Sequence, residues 1–180
     1  LSKNNWAFFN STFGEIPGVQ MGKFLLQKGF KKVCYLSPYH NSSWSKDRLT
    51  GLQNSGLEVI PFTDDEYASP WDYKEIARAK VSRLSVEIYA RNLVKKKLMQ
   101  FVQNVPPDCN CWVCVNDEVA GLFSEISDEG NCILPGEKTD PNVLGFDNSA
   151  ESYLLRIASY DFNTSALIKQ IFYYIENPDG

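Results

Sequence analysis

The run Cys111-Trp-Val-Cys-Val115 is apolar at every position. A strand with one wet face alternates apolar and polar residues, so an unbroken apolar run marks a strand covered on both faces. Such strands belong to parallel sheets with helices packed on each side, and the rest of the chain fits that reading. Lys31-Lys-Val-Cys-Tyr-Leu36 reads as a strand that stops at Ser37-Pro38. Leu57-Glu-Val-Ile60, Pro141-Asn-Val-Leu-Gly-Phe146 and Arg156 to Tyr160 read as further strands, and Trp6-Ala-Phe-Phe9 as a short aromatic one ahead of them. Helical spacing separates them. Val19 to Gln27 is closed by Gly29, and a helix capped by Ser43 or Ser45 runs to about Asn54, closed by Ser55-Gly56. Glu118 to Ser127 follows, then Asn163 to Glu176, capped by Asn163 or Thr164. Alternation of this kind predicts an α/β fold, a parallel sheet flanked by helices on both faces. In such sheets ligands bind beyond the carboxyl ends of the strands, where the strand order reverses.

A chain of 180 residues has the length of about one domain, so 1–180 is read as a single α/β unit. Apolar residues make up 43%, enough for a real core. No apolar run approaches the ~18 residues that span a membrane, and LSKNNWAFFN shows no signal peptide. Eighteen Lys and Arg against 22 Asp and Glu give a net charge of −4, which argues against a dedicated nucleic-acid binder. The cysteines, Cys34, Cys109, Cys111, Cys114 and Cys132, are odd in number. Reduced thiols in a cytoplasmic protein fit them better than a disulfide scaffold. The chain opens on Leu1 rather than Met, which points to a fragment or a processed product.

From Trp71 to Asn104 there is neither proline nor glycine. Val81, Leu84 and Ile88 share one helical face, and Val94, Leu98 and Phe101 share another, out of phase by well over a right angle at ~100° per residue. That mismatch predicts a bend or break near Arg91-Asn92. Residues 74–100 carry eight Lys or Arg and two Glu. A phosphate-binding helix is one reading of that charge; a solvated face pairing with the acidic remainder is the better one.

Catalytic signatures are missing. No nucleophile elbow, phosphate loop, dinucleotide fingerprint or zinc-protease motif occurs. The only histidine is His40, after Ser37-Pro38-Tyr39, and it reads as a loop residue rather than a base, since no nucleophile is signalled beside it. Cys109-x-Cys111-x-x-Cys114 resembles half of a zinc ribbon. Cys111 and Cys114 lie in an apolar strand and point to opposite faces, so they read as small hydrophobes, and neither a metal nor a cofactor is expected. Polar residues do stand where the fold places ligands: Asn116-Asp117 ends one strand, Asp147-Asn148 another, and Arg48 lies in the helix after the Val33–Leu36 strand. An amide, a carboxylate and a guanidinium suit a small polyhydroxylated or amide-bearing ligand.

Several stretches, in order, resemble the effector-binding domain of the lactose-repressor/galactose-repressor (LacI/GalR) family, which has the periplasmic-binding-protein fold. Met21 to Leu36 is similar to that family's helix, turn and following strand, with Phe30 in place of a histidine. Ser45-Lys-Asp-Arg48-Leu-Thr-Gly51 is like its R-x-x-G helix. Val113-Cys-Val-Asn116-Asp117-Glu-Val-Ala-Gly121 is like its A-N-D-x-x-A-x-G segment. Val143-Leu-Gly145-Phe146-Asp147-Asn148 is like its V-x-G-F-D-D strand end, and Tyr160-Asp161-Phe162 resembles its Q-D-F. The match covers the crossover strand, the second lobe and the start of the return to the first.

The resemblance implies a non-enzymatic sensor that binds a small effector, most plausibly a sugar, through Arg48, Asn116 and Asp147. It also implies a homodimer, and contact with DNA only through a headpiece outside this chain. Trp71 or Tyr67 would supply an aromatic wall for a sugar ring. One departure stands out: Trp6-Ala-Phe-Phe-Asn10-Ser11-Thr12 lacks the acid that the family carries after its first strand. A Ser, an Asn or Glu15 would substitute for it, or sugar binding is weakened. The alternatives are a solute-binding or receptor sensor module and a degenerate dimerisation module without ligand.

Overall fold

The structure, a computed structural model, describes residues 13–64, 83–106, 108–128 and 142–177. Trp6–Phe9, Tyr67, Trp71 and Cys132 lie outside them. In chain order the elements are α1 (Ile16–Gln27), β1 (Lys32–Ser37), α2 (Ser43–Asn54), β2 (Glu58–Thr63), α3 (Arg83–Val102) and β3 (Cys111–Cys114). They continue with α4 (Asp117–Asp128), β4 (Asn142–Phe146), α5 (Ala150–Leu154), β5 (Ala158–Tyr160) and α6 (Thr164–Glu176).

The sheet has the order β2-β1-β3-β4-β5, and every pairing is parallel. Central strands are buried throughout, as their apolar runs demand: β3 at all positions, β1 from Val33, β4 from Val143. Edge strand β2 is only half-buried and therefore tolerates Pro61, which cannot donate to a ladder. The chain steps from β1 outward to β2, then returns past β1 to β3. The order reverses between β1 and β3, which makes their carboxyl ends the switch point of the fold.

Glycine sets the approach of α1 to α2. A Cβ on Gly18 would lie 2.3 Å from the Arg48 carbonyl oxygen, and one on Gly51 would lie 2.2 Å from that of Glu15. The helices meet backbone to backbone there, and that contact fixes the position of α2 and of the residues it carries.

The sequence expectations need correction in several places. α3 is continuous through Arg91-Asn92, so of the bend or break expected there the break does not occur. Of the second stripe Val94, Leu98 and Phe101 are buried, with Val102 beside them, whereas Ile88 of the first is exposed. α1 begins three residues earlier than its apolar spacing suggested, with Pro17 in its first turn, where a missing N–H costs nothing. Ser42, not Ser43 or Ser45, stands at the start of α2. Asn163 precedes α6 in a left-handed conformation and makes no side-chain cap. The short α5 was not anticipated.

Among the described residues of the basic stretch, three side chains pair with acids. Arg91 contacts Glu125, Lys95 reaches Glu125 at 2.8 Å, and Lys97 pairs with Asp64.

Candidate functional site

α2 follows β1 directly, so its first turns lie over the carboxyl ends of the central strands. Arg48 projects from it to the strand ends. Its Nη1 donates to the Val115 carbonyl just beyond β3, and its Nη2 lies 3.1 Å from Asp147 Oδ1 just beyond β4. Three rings surround the guanidinium: Phe146 at 4.8 Å, Trp44 at 5.1 Å and Phe162 at 5.1 Å from Cζ to the centroid. Trp44 is one helical turn before Arg48, the spacing that brings two side chains together on a helix. Phe162 belongs to an aromatic chain. Its ring lies 4.9 Å from that of Tyr160 and 5.0 Å from that of Phe13.

Phe13, Trp44, Arg48, Asp147 and Phe162 line a cleft of about 430 Å³, together with Gly14, Pro17, Ser43, Asp47, Thr164 and Leu167. Its walls are largely aromatic and aliphatic, with a few polar groups on them, the usual composition of a small-molecule site. Burial raises the Asp147 carboxyl above its ordinary range; Arg48 opposes the shift and Asp117 adds to it.

Asp147 sits on unusual backbone. Its φ is 107° and that of Asn148 is 48°, and left-handed residues other than glycine need support. Asp117 supplies it. That side chain is buried, with Oδ2 accepting the Ser149 N–H at 2.7 Å and Oδ1 accepting the Ser159 hydroxyl at 2.6 Å. Ser159 Oγ in turn accepts the Asn148 N–H at 2.9 Å. A Cβ on Gly145 would lie 2.2 Å from Asp117 Oδ1, so only glycine leaves room for the carboxylate.

Of the residues singled out from sequence, the structure brings Arg48 and Asp147 together. Asn116 is not among the residues lining the cleft. It is half-buried at the end of β3, and its Oδ1 accepts the Val119 N–H at 2.9 Å, which caps α4. Trp71 lies outside the described residues; among those described, Trp44 is the indole on the cleft wall. Its signal was the one-turn spacing to Arg48.

His40 does not form a working dyad. Its Nδ1 is 3.0 Å from Ser45 Oγ, but Ser45 has no exposed surface and its hydroxyl also meets Ser37 Oγ at 2.7 Å and Tyr35 Oη at 3.1 Å. No substrate carbonyl reaches it. Cys34, Cys109, Cys111 and Cys114 are buried free thiols, and burial pushes the Cys111 thiol up to about 12. No metal-holding group of His, Cys, Asp and Glu occurs among the described residues. None of their helices is long and apolar enough to cross a membrane.

Glu118 follows Asp117 and is half-buried. Burial raises its carboxyl and Glu151 raises it further, with Arg91 opposing. A carboxyl held above its unfolded value destabilises the fold when ionised, and the penalty disappears as pH falls toward the ordinary 4.5. Glu118→Gln is therefore expected to raise the urea midpoint at neutral pH, with the gain shrinking toward pH 4.5. An equal midpoint for both proteins at pH 7 would contradict the assignment.

Neither a protein-family model nor a curated protein matches this sequence. The solved structures answer differently. The fold is that of LacI-family, periplasmic-binding-protein-like domains. A LacI transcriptional regulator from a Rhodococcus species matches at a TM-score of 0.54 with 12% identity, covering 83% of this chain and 49% of that one. A LacI family regulator from Bifidobacterium animalis subsp. lactis matches at 0.55 with 12% identity, over 92% and 55%. One from Silicibacter pomeroyi matches at 0.51 with 19% identity, over 93% and 61%. The chain thus spans roughly half to three-fifths of the proteins it resembles.

Proposed function

We propose that this chain is part of the ligand-sensing domain of a bacterial LacI-like transcriptional regulator. It binds a small effector, a sugar, and couples that binding to the DNA affinity of a fused headpiece. The observation that carries the reading is the Arg48-Asp147 pair at the strand ends, framed by Trp44 and Phe162 in an apolar-walled cleft. Sugars present an apolar ring face and directional hydroxyls, which an aromatic wall and a fixed carboxylate complement. Asn116 would approach such a ligand with its amide nitrogen, since its oxygen caps α4. No bond is made or broken in this function. The effector favours one arrangement of the regulator, and by linkage effector and DNA change each other's affinity by the same factor. A homodimer and a cytoplasmic location accompany the proposal.

The test is isothermal titration of the full-length protein over a panel of sugars and nucleosides, repeated with its operator DNA. Saturable binding that shifts with DNA is expected. Asp147→Asn keeps a residue that tolerates positive φ and is expected to weaken binding at least about tenfold, equivalent to ~1.4 kcal/mol. Unchanged affinity in that variant, or no binding anywhere in the panel, would overturn the reading.

A further inference from the structure

The cleft is electrically one-sided. Arg48 is the one basic residue among the described residues that line it, while Asp47 and Asp147 are both present. The Arg48 charge is already met. Asp147 takes Nη2, the Val115 carbonyl takes Nη1, and rings cover its faces. Only 11% of the Arg48 side chain is exposed, against 46% of Asp147. The ion pair therefore turns its carboxylate toward the cleft and hides its cation.

An incoming phosphate or carboxylate would meet Asp147 and Asp47 first. To reach Arg48 it would have to displace both a carboxylate and a stacked ring. A neutral donor or an ammonium meets acceptors already in place, beside aromatic faces that attract cations. The raised Asp147 carboxyl points the same way, because a donor or a positive charge relieves the cost of its partial burial.

We infer that the cleft selects a neutral or positively charged, donor-rich ligand with an apolar face and rejects phosphorylated or carboxylated ones. The inference rests on the cleft being the effector site, and it narrows the effector to a class. Asp147 is then a specificity residue as well as a contact. Its carboxylate repels anions, and its loss leaves Arg48 without a counter-charge.

Glucose, glucosamine and glucose 6-phosphate share a ring and differ in charge. Their binding to the full chain can be followed by the Trp44 indole N–H resonance, assigned with Trp44→Phe. Saturable shifts are expected with glucose and glucosamine, and affinity at least tenfold weaker for the phosphate. In Asp147→Asn the order is expected to narrow or reverse, with glucose 6-phosphate gaining affinity as the others lose it. Equal or tighter binding of the phosphate by the unmodified protein overturns the charge rule and leaves the sensor proposal standing. So does a charge order that Asp147→Asn leaves unmoved. Silence of all three sugars overturns the charge rule, while the sensor proposal falls only if the wider panel of sugars and nucleosides is silent too.

Discussion

Arg48→Ala is expected to lower the unfolding free energy by about 3 kcal/mol, mostly from the charge-assisted hydrogen bond to the Val115 carbonyl (~1.5–3 kcal/mol), with the part-exposed ion pair adding at most about 1 kcal/mol, and to abolish ligand binding in the cleft. The change has three parts. The Val115 carbonyl loses its donor, Asp147 loses its counter-charge, and Trp44, Phe146 and Phe162 lose the cation they surround. Arg48→Lys is expected to recover little. An ammonium is a point charge, and it cannot reach a carbonyl and a carboxylate at once while its faces stack on rings. Urea denaturation of the unmodified protein, both variants, Asp147→Asn and the double variant gives the coupling energy of the pair directly. A Lys variant as stable as the unmodified protein, or a coupling near zero, would show that the guanidinium fork does not organise the strand ends.

The legible part of this protein is the part written in local pattern. The apolar run at Cys111 and its neighbours specified a parallel sheet because a strand covered on both faces leaves no polar positions. Arg48 and Asp147 could be singled out because the fold puts their positions beside the strand ends, and because each sits in a motif resembling one family. What sequence could not supply was their mutual geometry. The pair spans nearly a hundred residues, and the sheet order β1-β3-β4, with α2 following β1, makes it an ion pair. Trp44 could have been found from its one-turn spacing to Arg48, but Phe13 and Phe162 enter the cleft from opposite ends of the chain. Asn116 reads from sequence as a ligand-facing amide, and the structure adds that its oxygen caps α4, because at the start of a helix the nearest N–H claims a side-chain oxygen first. α3 misled for a related reason: an apolar stripe signals burial only where something packs against it, and Ile88 is exposed.

Asp117→Ala is expected to be as costly as the loss of Arg48, although Asp117 lies outside the residues lining the cleft. Its carboxylate holds the Ser149 N–H directly and the Asn148 N–H through Ser159. Those bonds close the turn in which Asp147 and Asn148 both have positive φ. Removing a buried charged acceptor leaves two donors unsatisfied, at about 1–3 kcal/mol each, so a loss of roughly 3–5 kcal/mol in urea is expected. The same turn aims Asp147 at Arg48, so binding should fail along with stability, and a merely structural role would not separate the two. Asp117→Asn does separate them. Its amide keeps one acceptor and nearly the same volume, so the fold is expected to survive with part of the stability loss. Asp147, less firmly aimed, should still bind ligand, but more weakly and with a reduced preference against anions. If Asp117→Asn bound like the unmodified protein with the same charge preference, the carboxylate would be a packing element only, and the aim of Asp147 would have to come from β4 and β5 alone.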